Sequence, residues 1–326
     1  MQVRHISKRL RKLAFGLISL TCWTLGFLVL ISFTAKIAYS RIVEYRCMKW
    51  EATVRRDASG LEEGFEPYTV GDGRIAVLLI HGFGASPAMF NKMAPSLAER
   101  GYRCRVMRLP EYGMPPEEFA RVSRATWLVA IDREVRTLAR ESDQVWIVGH
   151  SMGASLGVDY LLEYPDQADG IVLLTPLMGV SNARSPLIPP RTLFEVGRHI
   201  FRPDDLLESS FSLDLHTNEP VQFEDRDIFT PFSIYTELFR LMDTISSRAE
   251  EFKTPMLMVL SPDDKVVDCR AAERYFKAAR SSPKDLYYVR DAGHAVPIDN
   301  GWDDVVRQID GFIRDCPQPC RVASTE

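Results

Sequence analysis

An α/β fold with a mostly parallel sheet, helices on both faces and a helical insertion is predicted by three observations. Short continuous apolar runs recur through the body of the chain, as strands covered on both faces require. Segments with apolar residues at helical spacing lie between them. Residues 177–253 break that alternation without becoming low in complexity, which marks an insertion rather than a linker. A length of 326 residues with 46% hydrophobic and 26% charged content suits one large domain carrying such an insertion.

Residues 1–12 form a basic flank, in which Arg4, Lys8, Arg9, Arg11 and Lys12 precede any acidic residue. The net charge of −4 therefore understates how acidic the remainder is. An acidic body lacks the clustered Lys and Arg that track phosphates, which argues against nucleic-acid binding. From Leu13 to Phe33 no residue is charged. As a helix the run would span roughly 30 Å, the thickness of a bilayer core. It is longer than the apolar core of a signal peptide, although Ala38-Tyr39-Ser40 would pass as a cleavage site. The expectation is an uncleaved single-pass anchor at 13–33. The basic flank places the N-terminus in the cytoplasm and the body on the far side, periplasmic in a bacterium.

Residues 34–70 read as a polar connector with a possible edge strand. The core is then expected over 71–176 and 254–315, with a helical cap at 177–253 and a cysteine-containing tail at 316–326. Ile75 to Ile80 is an apolar strand running into His81-Gly82-Phe83-Gly84, and Pro87 after Ser86 fits the first position of a helix. Arg103–Leu109 is a second strand, and 126–139 has helical spacing. Gln144 onward is a buried strand, followed by a helical pattern over 154–164. Strands follow at 169–175, 255–261 and 286–290, with helical patterns near 268–280 and 301–314. Within the insertion, Thr230-Pro231 reads as an N-cap and first helical residue. Tyr235, Leu238, Phe239, Met242 and Ile245 continue it at helical spacing.

Gly149-His150-Ser151-Met152-Gly153 joins strand to helix. A serine on so sharp a turn needs small residues two positions to either side, because strand and helix crowd together there. The pentapeptide alone is a weak signal; its placement gives it weight. A serine nucleophile needs a histidine base and a carboxylate to orient that base. Two later strands run into Pro262-Asp263-Asp264 and into Asp291-Ala292-Gly293-His294, so serine, acid and histidine follow in order at C-terminal strand ends. On spacing alone Asp263 and Asp264 both remain possible. Five cysteines lie outside the apolar run. Cys104 reads as a buried small hydrophobe, and Cys47, Cys269, Cys316 and Cys320 suffice for two disulfides in an oxidising compartment. Cys316-Pro-Gln-Pro-Cys320 lacks a second ligand pair, so no metal is expected.

On these residues residues 73–315 resemble the α/β-hydrolase superfamily, more narrowly bacterial carboxylesterases and monoacylglycerol lipases of the S33 serine-aminopeptidase type. The resemblance implies Ser151 as nucleophile, Asp264 as acid and His294 as base, with no cofactor. It makes the backbone N–H groups of Phe83 and Met152 the oxyanion donors, and His81 and His150 structural. One stretch departs: relatives carry Gly-His-Gly where this chain has Glu111-Tyr112-Gly113, which weakens any close analogy of substrate. The function implied is cleavage of small or lipid-like carboxylic esters. Aminopeptidase, thioesterase or amidase activity is the alternative, and a non-catalytic tethered binding protein is the alternative of another class. Serine at the elbow disfavours the dehalogenases and epoxide hydrolases, which need a carboxylate nucleophile.

Overall fold

The computed structural model describes residues 2–209, 212–219 and 228–316; the side chains of 2–14, 17, 25, 28 and 29 lie outside that description. Helix α1 spans Gln2–Glu51. Strands β1 (Tyr68–Val70) and β2 (Ile75–Ile80) follow, then α2 (Met93–Ala98), β3 (Tyr102–Met107), α3 (Pro116–Phe119) and α4 (Arg124–Glu141). Next come β4 (Gln144–His150), α5 (Met152–Glu163) and β5 (Gly170–Leu174). The insertion carries α6 (Pro190–Gly197), β6 (Leu206–Glu208), β7 (Phe229–Pro231) and α7 (Phe232–Ser247). The core resumes with β8 (Met256–Leu260), α8 (Cys269–Ala278), β9 (Lys284–Tyr288) and α9 (Trp302–Asp315).

Among the described residues seven strands make one sheet in the order β1-β3-β2-β4-β5-β8-β9. Only β1 runs antiparallel to its neighbour. The central strands are apolar on both faces because helices cover both. Leu78, Ile80 and Ile147 pack on the side of α4, α5 and α7, and Val77, Leu79 and Val148 on the side of α2 and α9. Every residue of β4 is buried. The predicted α/β arrangement is therefore the one observed, with strand and helix ends shifted by a few residues.

Two local readings change. Thr230 is not a cap: Phe229–Pro231 pairs with Leu206–Glu208, which holds Thr230 extended and puts Pro231 at the N-cap of α7. The stretch read as a connector is helical as far as Glu51, and the second half of α1 docks on the insertion. Lys36 Nζ lies 2.8 Å from Asp205 and Arg46 2.9 Å from Glu208. Val43 and Cys47 are buried beside Phe229, on whose ring Trp50 also packs.

The membrane reading is corrected. No helix among the described residues is long and apolar enough to cross a membrane. In the described part of the 13–33 run, Gly16, Ser19, Thr21, Thr24 and Gly26 dilute the apolar residues. The Thr21 and Thr24 hydroxyls turn back onto the carbonyls of Ile18 and Leu20. Leu13, Ala14, Leu17, Leu25, Leu28 and Val29 have side chains outside the description. The expected anchor, its orientation and the far-side placement of the body are accordingly set aside. Cys47, Cys104, Cys269 and Cys316 are free thiols, and Cys320 lies outside the described residues.

Candidate active site

Three parallel strands, β4, β8 and β9, with β5 between the first two, deliver the predicted residues to one end of the sheet. Ser151 sits between β4 and α5 with φ +53° and ψ −116°, a conformation that costs an L-residue about 1–3 kcal/mol. The crowding that selects the flanking glycines is visible. A Cβ at Gly149 would strike the backbone of Ala154, and one at Gly153 the carbonyls of Ile80 and His81. The turn is held by Ser151 N–H donating to Leu174 O at 2.9 Å, and by Leu177 N–H donating to Ser151 O at 3.1 Å.

His294 Nε2 lies 2.9 Å from Ser151 Oγ, and His294 Nδ1 lies 2.7 Å from Asp264 Oδ2. A carboxylate only accepts, so the imidazole proton belongs on Nδ1 and leaves Nε2 free to accept from the serine hydroxyl. The two aspartates are placed differently: Asp263 is exposed, and Asp264 is buried against His294. Asp264 Oδ1 accepts from the N–H groups of Val266 and Val267 at 2.7 and 2.9 Å. Burial pushes the Asp264 carboxyl up, but the facing His294 and these N–H donors outweigh it and hold the group below its ordinary 3.8. Burial, alone for Cys104 and as the largest cause for Cys47 and Cys269, pushes these thiols up to about 12. None of these is then a thiolate nucleophile near neutral pH.

The loop after β2 lies directly beside the serine. A Cβ on Gly82, the residue before Phe83, would be 3.1 Å from Ser151 Cβ. Met152 N–H is at the first turn of α5, where a helix leaves its donors unpaired. His81 holds the loop after β2. Its Nε2 accepts from Leu109 N–H at 3.1 Å, so its proton is on Nδ1, which donates to Gly82 O at 3.0 Å. His150 Nε2 donates to the carbonyl of His294 at 3.0 Å, and Thr175 Oγ1 donates to the same oxygen at 3.0 Å. Both buried histidines thus brace neighbouring loops through backbone groups.

Sequence reading passed over several residues here. Tyr112, at the departing motif, is fully buried with its ring edge on His81 and its hydroxyl 3.6 Å from Met152 Sδ. Glu111, where relatives carry glycine, has φ +65°, and Thr175 has φ +42° although it is β-branched. Asp214 and Asp299, both buried, bond to the loop bearing His294. Only the buried acids' position in the fold reveals them, since a carboxylate that bonds backbone N–H groups has no spacing signature. Among the described residues no cluster of His, Cys, Asp and Glu is placed to hold a metal ion.

The two braces carry a stability consequence. Burial, the leading cause in each case, lowers His81 from 6.5 to about 4 and His150 to about 3. In that window the unfolded chain binds protons that the folded chain refuses, so stability rises with pH. It is expected to fall by a few kcal/mol as pH drops from 6.5 toward 4. Asp264 adds its loss only below its ordinary 3.8. Denaturant titrations across this range will give a slope that His81→Gln makes shallower; an unchanged slope contradicts the assignment of His81.

The sequence model of the serine aminopeptidase S33 family matches residues 71–301. A thermostable monoacylglycerol lipase of Bacillus sp. strain H-257 is 25% identical over 240 residues, 72% of this chain and 89% of that relative. A carboxylesterase of Bacillus subtilis strain 168 is 22% identical over 254 residues, 76% of this chain and 96% of the relative. A solved structure from work on two metagenome-derived lipolytic enzymes, LipS and LipT, superposes with TM-score 0.67 at 26% identity, covering 77% of this chain and 98% of that one. A Paleococcus ferrophilus monoacylglycerol lipase shares the fold with TM-score 0.65 at 20% identity, over 76% and 97% of the two chains. With the family match spanning most of the body, around a serine seated on the strand-to-helix turn, the chain belongs to the serine aminopeptidase S33 family and is a serine hydrolase of the lipase and esterase type on an α/β-hydrolase fold.

Proposed function

We propose that this protein hydrolyses carboxylic esters through Ser151, His294 and Asp264, with an acyl-enzyme intermediate. The observation that carries the reading is the unbroken hydrogen-bond chain from Ser151 Oγ through the His294 ring to Asp264. Ser151 Oγ attacks the ester carbonyl carbon while its proton passes to His294 Nε2. The carbonyl oxygen becomes an oxyanion, held by the N–H groups of Phe83 and Met152. Collapse breaks the bond to the alcohol, which takes the proton from His294. Water then gives a proton to Nε2 and attacks the acyl carbon; collapse breaks the bond to Ser151 Oγ, which takes that proton back from His294 as the acid leaves. Asp264 keeps the imidazole in the required tautomer and stabilises its charged form throughout.

The substrate class proposed is a monoacylglycerol-like or simple ester of short or medium chain. Two features support it. The monoacylglycerol lipase and the carboxylesterase among the relatives act on such bonds by name. A cavity of about 160 Å³ lies within the insertion, lined by Met178, Phe239 and Met242 together with Asn182, Ser246 and the Arg191–Asp243 pair. Met178 follows Leu177, whose N–H bonds Ser151 O. p-Nitrophenyl esters from acetyl to palmitoyl, run beside aminoacyl-naphthylamides, test this. Turnover is expected to peak at a short or medium acyl chain, with the naphthylamides at least about a hundredfold slower, a margin of roughly 3 kcal/mol in activation energy. Faster naphthylamide cleavage would replace the ester reading by an aminopeptidase.

A further inference from the structure

One carboxylate oxygen outside the proposed triad is bonded to both of the loops that the triad must hold in register. Asp214, in the segment 212–219 of the insertion, is buried. Its Oδ2 accepts from Lys265 N–H at 2.8 Å and from His294 N–H at 3.1 Å. Lys265 directly follows Asp264. The bridged backbone positions are therefore those of the proposed base and of the residue next to the proposed acid. Asp214 O also accepts from Ala295 N–H at 3.3 Å, and Gly293 packs so closely on that carbonyl that a Cβ would not fit.

The segment is itself tied down. Asp299 accepts from His216 N–H and Thr217 N–H, and also from Gly293 N–H at 2.7 Å. Lys92 reaches Glu219 at 2.9 Å. Arg184 and Lys265 Nζ each lie 4.0 Å from Asp214 Oδ1, so positive charge faces the buried carboxylate. Hydrogen bonds of N–H groups to a charged acceptor are among the stronger ones. Two of them on one oxygen fix the spacing of the acid and histidine loops.

We infer that Asp214 is a positioning residue that sets the Asp264–His294 distance through the backbone, so that the insertion contributes to proton transfer as well as to the substrate site. The inference rests on the triad reading above. A misplacement of about 1 Å at a reacting group costs on the order of a hundredfold in rate. Asp214→Ala is therefore expected to lower kcat about a hundredfold with KM changed less than about twofold. It will also shift or broaden the far-downfield proton resonance of the Asp264–His294 hydrogen bond. Asp214→Asn keeps an acceptor oxygen and loses only the charge assistance, so it is expected to stay within about tenfold of wild type, with the resonance retained. If the alanine variant does not fold, Asp214→Ser, which keeps a polar atom but reaches only one of the two N–H groups, takes its place. A wild-type kcat and an unmoved resonance in the alanine or serine variant overturn the role. So does an asparagine variant as impaired as alanine. Ser151→Ala runs alongside: turnover persisting there overturns the triad itself, whereas its loss beside an unaffected Asp214→Ala overturns only the role of Asp214.

Discussion

Ser151→Ala will lower ester turnover by at least about 10⁴-fold while leaving the fold intact. Triad members act as a unit, so removing the nucleophile alone costs as much as removing the set, of order 10⁶-fold in a serine hydrolase. What survives is the contribution of the oxyanion donors and substrate binding, 10³–10⁴-fold over water. The substitution removes one oxygen at a residue whose backbone N–H and carbonyl, not its side chain, hold the turn. Alanine must still adopt φ +53°, so no strain is added or relieved beyond that of serine. Thermal unfolding near the wild-type temperature, measured beside the lost activity, separates chemistry from folding.

Asp264→Asn is expected to lower kcat by about 10⁴-fold, and the reason is the proton inventory at His294. An asparagine facing Nδ1 can present its amide N–H₂, to which only an unprotonated Nδ1 can respond. The imidazole proton then moves to Nε2, and Ser151 loses its acceptor. Asp263→Asn is the matched control. That side chain is exposed and has no part in the chain of bonds, so its kcat will stay within about twofold of wild type. Equal losses in the two variants would reject Asp264 as the acid.

Ser151, Asp264 and His294 were legible because each ends or closely follows an apolar run, and a strand covered on both faces has little freedom in how it is spelled. The same argument located His81 to Gly84. Periodicity also found α7, through Leu238, Phe239, Met242 and Ile245. It missed the true cap because the pairing of Phe229–Pro231 with Leu206–Glu208 is a tertiary event. The second half of α1 carried a readable stripe in Lys36, Tyr39, Val43 and Cys47, at spacings of three and four. Its polar composition masked the stripe, and its partners Asp205, Glu208 and Phe229 lie far along the chain. Composition alone supplied the membrane reading, which the described helix does not support. Asp214 and Asp299 were illegible for another reason. A buried acid that satisfies backbone N–H groups looks like any surface acid until the fold surrounds it.

Tyr112 illustrates how a departure from a family pattern can be absorbed. Its ring packs on His81, and its hydroxyl reaches Met152. It thus touches Met152, one proposed oxyanion donor, and His81, which braces the loop that carries the other. The loop pays for this with Glu111 at φ +65°, a cost of roughly 1–2 kcal/mol for a residue other than glycine.

The central claim, that Ser151 is the activated nucleophile, is tested most directly by a fluorophosphonate that phosphonylates activated serines, followed by peptide mass mapping. One label per chain is predicted, on the peptide containing Ser151, with none on Ser151→Ala and a strongly slowed reaction on His294→Ala. A label on another residue, or undiminished labelling of Ser151→Ala, would contradict the account.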